Sequence, residues 1–126
     1  MKETKQKQSD HIAEIIAELS VEYVDAIPGV VDKIEVLSTQ KNIPLIREEF
    51  HKLRGTGNTY GLDEITILGQ TMERICLEFD EDQVVQFLPA ANRVLNKIYS
   101  ARKERERYAI ENDGDYNHLN SFVAIH

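Results

Sequence analysis

The chain has little cysteine, no tryptophan and no long apolar run, and these absences narrow what it can be. A single cysteine, Cys76, excludes an internal disulfide and is typical of a reducing compartment, so we expect a cytoplasmic protein. One cysteine and four scattered histidines show no zinc-ligand spacing, so we expect no metal site. No run of about 18 apolar residues occurs, which predicts that nothing spans a membrane.

Positive charge is also scarce, and it is unevenly placed. The 126 residues carry 15 Lys and Arg against 22 Asp and Glu, a net charge of −7. This balance argues against nucleic acid as a partner. Residues 41–54 are the exception, because they hold four basic and only two acidic side chains. This basic island surrounds His51 and would steer an acidic or phosphorylated partner towards it.

Apolar residues recur at helical spacing along most of the chain, without the alternation typical of strands. The five apolar stripes are Ile12, Ile15, Ile16, Leu19, Tyr23 and Val24; Val30, Val31, Ile34 and Leu37; Ile46, Phe50 and Leu53; Leu62, Ile65, Leu68, Gly69, Met72, Ile75, Cys76 and Phe79; and Val84, Val85, Leu88, Ala91, Leu95 and Ile98. We therefore predict an all-α protein, an antiparallel four-helix bundle with an additional N-terminal helix. Candidate N-caps are Ser9 or Asp10 for the first helix, Asn42 for the third and Asp80 or Asp82 for the last.

A chain of this length can bury one modest core, and we assign residues 1–108 to a single helical domain. Pro89 should kink the last helix or make it restart. Residues 109–126 show no helical stripe, so we expect an irregular tail, either loosely ordered or packed as an extended arm. The stripes suffice for one core, and we therefore expect a monomer.

Residues 50–62, FHKLRGTGNTYGL, place three glycines just after a histidine in a chain that otherwise has a helical pattern. A glycine inside a helix costs about 1 kcal/mol relative to alanine, so each needs a physical reason. Gly57 lies on the core face, where close packing of another helix would explain it. Gly55 faces outward, and Gly61 is a better signal than Gly55 for the end of the helix. We predict a helix that continues through Tyr60 rather than one that ends before Gly55.

The helical wheel predicts an exposed histidine beside an open position. At about 100° per residue, His51 points roughly 130° away from the apolar face of its helix. Gly55, four residues later, leaves space beside the imidazole. Arg54, three residues later, can reach an anion attached to the ring, because a guanidinium matches phosphate geometry. Arg47 and Asn58 lie on one flank and are weaker candidates for orienting the ring.

The segment HKLRGTGNTYGL resembles the signature of the histidine-containing phosphotransfer domain. That signature runs His, any residue, an aliphatic residue, Lys or Arg, Gly, Ser or Thr and a small residue, with a second Gly six positions after the first. The matching positions are His51, Leu53, Arg54, Gly55, Thr56, Gly57 and Gly61. Arginine replaces the more frequent lysine, and Phe50 stands where a small residue is common. The resemblance covers residues 12–105 and excludes the tail.

The resemblance implies a phosphoryl carrier of a two-component phosphorelay rather than an enzyme. His51 would accept a phosphoryl group from a receiver-domain aspartate or a histidine kinase and pass it to another receiver. Arg54 would stabilise the added charge, and Gly55 would admit the partner. Phosphoryl transfer usually needs a metal ion, and no carboxylate cluster or nucleotide loop is evident beside the histidine. We therefore expect no cofactor on this chain and Mg²⁺ only on the partner receiver.

Two other interpretations belong to different classes. A helical-bundle scaffold would bind its partner without any phosphate on the histidine, and this alternative stays open. A dinucleotide-binding enzyme is suggested by GTGNTYG, but that fingerprint needs a preceding strand and a third glycine. Tyr60 occupies the third glycine's position, and an amphipathic helix precedes the motif, so we reject this interpretation.

Overall fold

The computed structural model describes residues 2–124, and the side chains of residues 9–123. Within this range the chain is helical and contains no strand, which confirms the predicted all-α class. The helices are α1 (Lys2–Asp25), α2 (Ile27–Thr39), α3 (Ile43–Thr56), α4 (Asp63–Glu78), α5 (Glu81–Lys103) and α6 (Gly114–Ala124), with 3₁₀ turns at Asn58–Tyr60 and Ile110–Asn112. None of these helices has the length and apolar character that crossing a bilayer requires.

Helix boundaries follow local capping chemistry at two of the predicted positions. The Asn42 side chain accepts a hydrogen bond from a backbone N–H of the first turn of α3, and Asp80 forms a capping box with Gln83 at the start of α5. The predicted cap at Ser9 or Asp10 is wrong, because α1 already begins at Lys2. Ser9 and Asp10 are both suitable N-caps. The polar residues before them can also be helical, however, and the helix therefore starts earlier.

Two further boundary predictions need correction. Helix α5 does not restart at Pro89 but runs unbroken from Glu81 to Lys103. Helix α3 ends as an α-helix at Thr56, and the predicted continuation through Tyr60 is a 3₁₀ turn instead. The chain then reverses at Gly61, whose φ of 81° is the left-handed conformation that glycine adopts without strain.

Contacts between the helices close a single core. Helix α2 packs against α3 and α5, α4 packs against α3 and α5, and α6 covers α4 and α5. Helices α3 and α4 are antiparallel, because Gly57 lies against Thr66 while His51, further back along α3, contacts Glu73 further along α4. The largest fully buried side chains are Phe50, Ile27, Ile34, Ile46, Leu62, Ile65, Leu68, Met72, Ile75, Leu88, Leu95 and Ile98.

Two glycines allow α3 and α4 to approach closely. A Cβ atom at Gly69 would lie 2.6 Å from the backbone nitrogen of Arg54 and 2.8 Å from the carbonyl oxygen of Phe50. A Cβ atom at Gly57 would lie 2.6 Å from Oγ1 of Thr66. Real Cβ contacts are essentially never this short, so the helices could not keep their separation with alanine at either position. The expectation that Gly57 permits close packing is therefore confirmed.

The prediction of an irregular tail over residues 109–126 is wrong for the part that the structure describes. Ile110 is fully buried in a 3₁₀ turn, and α6 then buries Tyr116, Leu119 and Val123 against the bundle face. These three apolar residues do have helical spacing, but a segment of 11 residues is too short for its period to be distinctive. Positions 125 and 126 lie outside the described residues.

Charged contacts also fix α6 to α5. The guanidinium of Arg93 donates two hydrogen bonds to Asp115, at 3.0 and 2.9 Å, and Lys97 donates to Asp113 at 2.8 Å. Hydrogen bonding from Arg93 lowers the pKa of the Asp115 carboxyl to about 2, against the opposing effect of burial. The Tyr108 hydroxyl donates to Asp113 as well. The C-terminal helix is thus an integral layer of the fold.

Replacing Gly69 by alanine should lower the free energy of unfolding by about 1–3 kcal/mol, because the added methyl group meets backbone atoms that cannot move independently. Gly29→Ala is the matched control in α2, because a Cβ atom at Gly29 meets nothing within 4 Å. This substitution should raise the free energy of unfolding by at most about 1 kcal/mol. Urea unfolding of both variants measures the difference. Equal effects would show that α3 and α4 are not in close contact.

Candidate functional site

His51 stands on the outer face of α3. Its side chain is 65% exposed, although the adjacent Phe50 is fully buried. One turn later, a Cβ atom at Gly55 would meet nothing within 4 Å. Because α3 extends to Thr56, Gly55 lies inside the helix and not beyond its end. The imidazole therefore faces solvent with an open position beside it.

The three glycines of the motif have three different physical settings. Gly57 is required by the close approach of α4, and Gly61 by its positive φ. Neither reason applies to Gly55, which is exposed and helical. Its missing side chain costs helix stability, and no described atom lies within 4 Å of the place where a Cβ would stand. Neither packing nor backbone conformation in the described part of the chain therefore explains Gly55.

A residue that the sequence did not single out completes the site. Glu73, on α4, accepts a hydrogen bond from Nδ1 of His51 on Oε1 at 2.8 Å. Its other oxygen, Oε2, accepts from Nη1 of Arg54 at 2.9 Å. The Glu73 side chain is only 13% exposed, whereas the Arg54 side chain is 52% exposed. One carboxylate therefore holds both the imidazole and the nearby cation.

The charge state of Glu73 determines which ring nitrogen carries hydrogen. Burial alone would raise the pKa of the Glu73 carboxyl, but the hydrogen bonds from His51 and Arg54 outweigh burial and keep the pKa below its usual value. The carboxyl is thus ionised at neutral pH and can only accept hydrogen bonds. Nδ1 must then be the donor, and in the neutral ring Nε2 carries the lone pair.

The two weaker candidates for orienting the ring, Arg47 and Asn58, interact with other groups. The Arg47 side chain is exposed one turn before His51, close enough to Cys76 for its charge to affect that thiol. Asn58 is exposed, and its backbone N–H donates to Oγ1 of Thr66 at 2.8 Å. Within the part of the chain that the structure describes, neither side chain forms a hydrogen bond with the imidazole.

Part of the basic island is already neutralised. Glu49 is 7% exposed and pairs with Lys33 at 2.6 Å and with Lys52 at 3.4 Å. Arg54 donates to Glu73 through Nη1, while a guanidinium carries five N–H donors in total. The arginine can therefore remain anchored and still present N–H groups to an incoming anion.

Neither a metal centre nor a reactive thiol is apparent in this region. Among the described residues, no group of three or more His, Cys, Asp or Glu side chains could hold a metal ion. Cys76 is buried, and desolvation raises the pKa of its thiol to about 12, so the reactive thiolate is scarce at neutral pH.

The local sequence pattern does not indicate a role for Glu73, because that role depends on a contact between helices. One signal could have found it: Gly57 and Gly69 mark a line of close approach between α3 and α4, and Glu73 lies one turn beyond Gly69.

Comparisons with protein-family models, curated proteins and solved structures find no match to this chain. Function must therefore be inferred from the site.

Replacing Glu73 by alanine removes the acceptor that holds hydrogen on Nδ1 of His51. The neutral ring should then become a mixture of its two tautomers. Nitrogen-15 NMR of the imidazole distinguishes the tautomers, and the neutral ring of the unsubstituted chain should show hydrogen on Nδ1. Glu78→Ala, on the same helix and paired with Arg74 at 3.0 Å, is the control and should leave the ring unchanged. An identical spectrum for Glu73→Ala would contradict the assigned hydrogen bond.

Proposed function

We propose that this chain is a phosphoryl carrier of a two-component phosphorelay. In this proposal α2–α5 form an antiparallel four-helix bundle, α1 is the additional N-terminal helix, and His51 carries the phosphoryl group. The observation that supports it most directly is the exposed imidazole whose Nδ1 is held by Glu73, with Nε2 directed away from that carboxylate. The compartment would be the cytoplasm and the carrier a monomer.

The proposed transfer uses the lone pair of Nε2. Nε2 attacks the phosphorus of an aspartyl phosphate, the P–N bond forms as the bond between phosphorus and the aspartate oxygen breaks, and the aspartate leaves as a carboxylate. The ring becomes positively charged because Nδ1 keeps its hydrogen. Glu73, ionised and 2.8 Å away, stabilises that charge as it develops. The reverse sequence returns the group to a second receiver.

Two neighbours would assist the transfer. Arg54 lies one turn from His51 and would contact the phosphoryl oxygens through the N–H groups that Glu73 does not use. Gly55 would let a partner's surface approach the ring without a side chain between them. The partner would supply Mg²⁺ and in-line geometry, which phosphoryl transfer requires. The chain itself would therefore be a substrate and carrier, not an enzyme.

His51→Gln should abolish phosphorylation while changing the unfolding temperature little, because the side chain is mostly exposed. The assay incubates the chain with a panel of receiver domains charged with acetyl phosphate and measures acid-labile, base-stable phosphate. His11→Gln and His118→Gln replace other exposed histidines and should retain full labelling. Labelling that persists in His51→Gln contradicts the proposal. Receiver binding without any labelled histidine would support the scaffold alternative.

Arg54→Ala should slow transfer roughly tenfold or more, which corresponds to about 1.4 kcal/mol of lost charge stabilisation in the transition state. Arg74→Ala is the control, since that guanidinium is also exposed but pairs with Glu78 on α4. Rapid-quench kinetics with a phosphorylated receiver measure the rates, and thermal unfolding checks the fold. If both variants transfer at the same rate, Arg54 has no role in the reaction.

A further inference from the structure

An apolar stripe on α1 is left uncovered by the rest of the described chain. Ile12, Ile15, Ile16 and Leu19 are 57, 42, 44 and 40% exposed, and they recur at the spacing of one helix face. Other exposed large apolar residues lie singly on separate helices or, like Val21, on the opposite side of α1. We call these four residues the α1 stripe.

Among the described side chains of α1 (residues 9–25), those at the C-terminal end anchor the helix to the fold. The Ser20 hydroxyl donates to the carbonyl oxygen of Tyr60 at 2.8 Å, and the Tyr23 ring packs against the Tyr60 ring with centroids 5.1 Å apart. Residues 9–19 are all exposed. The α1 stripe therefore lies beyond the anchored part, although an amphipathic helix normally gains its stability by packing its apolar face.

The two edges of the α1 stripe differ in chemistry. At about 100° per residue, the stripe covers an arc of roughly 100°. Glu18 and Glu22 border the edge next to Ile15. Ala13 borders the edge next to Ile16, and Ser20 on the same side donates to the carbonyl oxygen of Tyr60. The acidic edge can therefore receive the cations of a partner.

Negative charge dominates residues 9–25 of this helix, whereas its first turns carry Lys2, Lys5 and Lys7. Residues 9–25 carry five carboxylates and neither lysine nor arginine. Asp25 pairs with Lys103 at 2.9 Å. Within the described residues, no ion pair engages the carboxylates of Asp10, Glu14, Glu18 or Glu22. The segment thus combines an uncovered apolar face with a strong negative field.

We propose that the α1 stripe is the docking surface for a basic amphipathic helix of a partner protein. Apolar residues of that helix would cover the four stripe residues, and its Lys or Arg side chains would face Glu18 and Glu22. A second copy of this chain is a poorer occupant, because its α1 carries six acidic and three basic residues and so brings further net negative charge to the same place. The proposal does not rest on phosphoryl transfer at His51.

The test uses the full chain and a synthetic probe. The probe is a fluorescent amphipathic peptide of about three heptads, with leucine on one face and lysine elsewhere; a second peptide replaces every lysine by glutamate. The lysine peptide should bind with a dissociation constant on the order of micromolar, and the glutamate peptide should not bind. The double variant Ile12→Ser, Ile16→Ser should weaken binding roughly tenfold or more, since two apolar contacts are lost.

Control variants separate the α1 stripe from non-specific attraction to an acidic protein. Val36→Ser changes an exposed apolar residue on α2 and should leave binding unchanged, as should His51→Gln. Glu18→Gln with Glu22→Gln should weaken binding and reduce its salt dependence. Unchanged affinity in the Ile12→Ser, Ile16→Ser variant would overturn the proposal. So would a dimer, seen by sedimentation, that this variant dissociates, because a second copy would then cover the stripe.

Discussion

The close approach of α3 and α4 is the constraint on which the site depends. Gly57 and Gly69 bring the backbones together, and this separation puts the Glu73 carboxylate 2.8 Å from Nδ1 of His51. Hydrogen bonds weaken steeply beyond normal distances, so a side chain at Gly69 would act on the imidazole as well as on the core. The tautomer of an exposed histidine is thus set by packing on the buried side of its own helix.

The shared carboxylate also links the two charges that the proposed reaction would change. Before transfer, Glu73 is the common acceptor for His51 and Arg54. A phosphoryl group on Nε2 would add a second anion within reach of Arg54 while making the ring a cation. Arg54 would then contact the phosphate through the N–H groups that Glu73 does not use, and Glu73 would keep the ring. This contact needs no movement of α3 or α4, because the arginine side chain is long and half-exposed.

Local rules explain what could be predicted from the sequence. The apolar period identified five of the helices, and the wheel placed His51 and Gly55 on the outer face, because both follow from 100° per residue. Glu73 could not be found in this way, since it lies 22 residues from His51 and is brought there by tertiary packing. Helix α6 could not be predicted with the same rule, because a period of 3.6 residues gives only a weak signal over 11 residues.

The same apolar period also explains why the surroundings of α1 could not be predicted. Periodicity shows that a helix has an apolar face, but not which surface will cover that face. Helices α2–α5 close the core against one another, and α6 covers α4 and α5. Only the end of α1 is needed, so Val24 is buried while Ile12 is 57% exposed on the same helix. An apolar face that a closed core does not need is available to another molecule, and its acidic border selects the charge of that molecule.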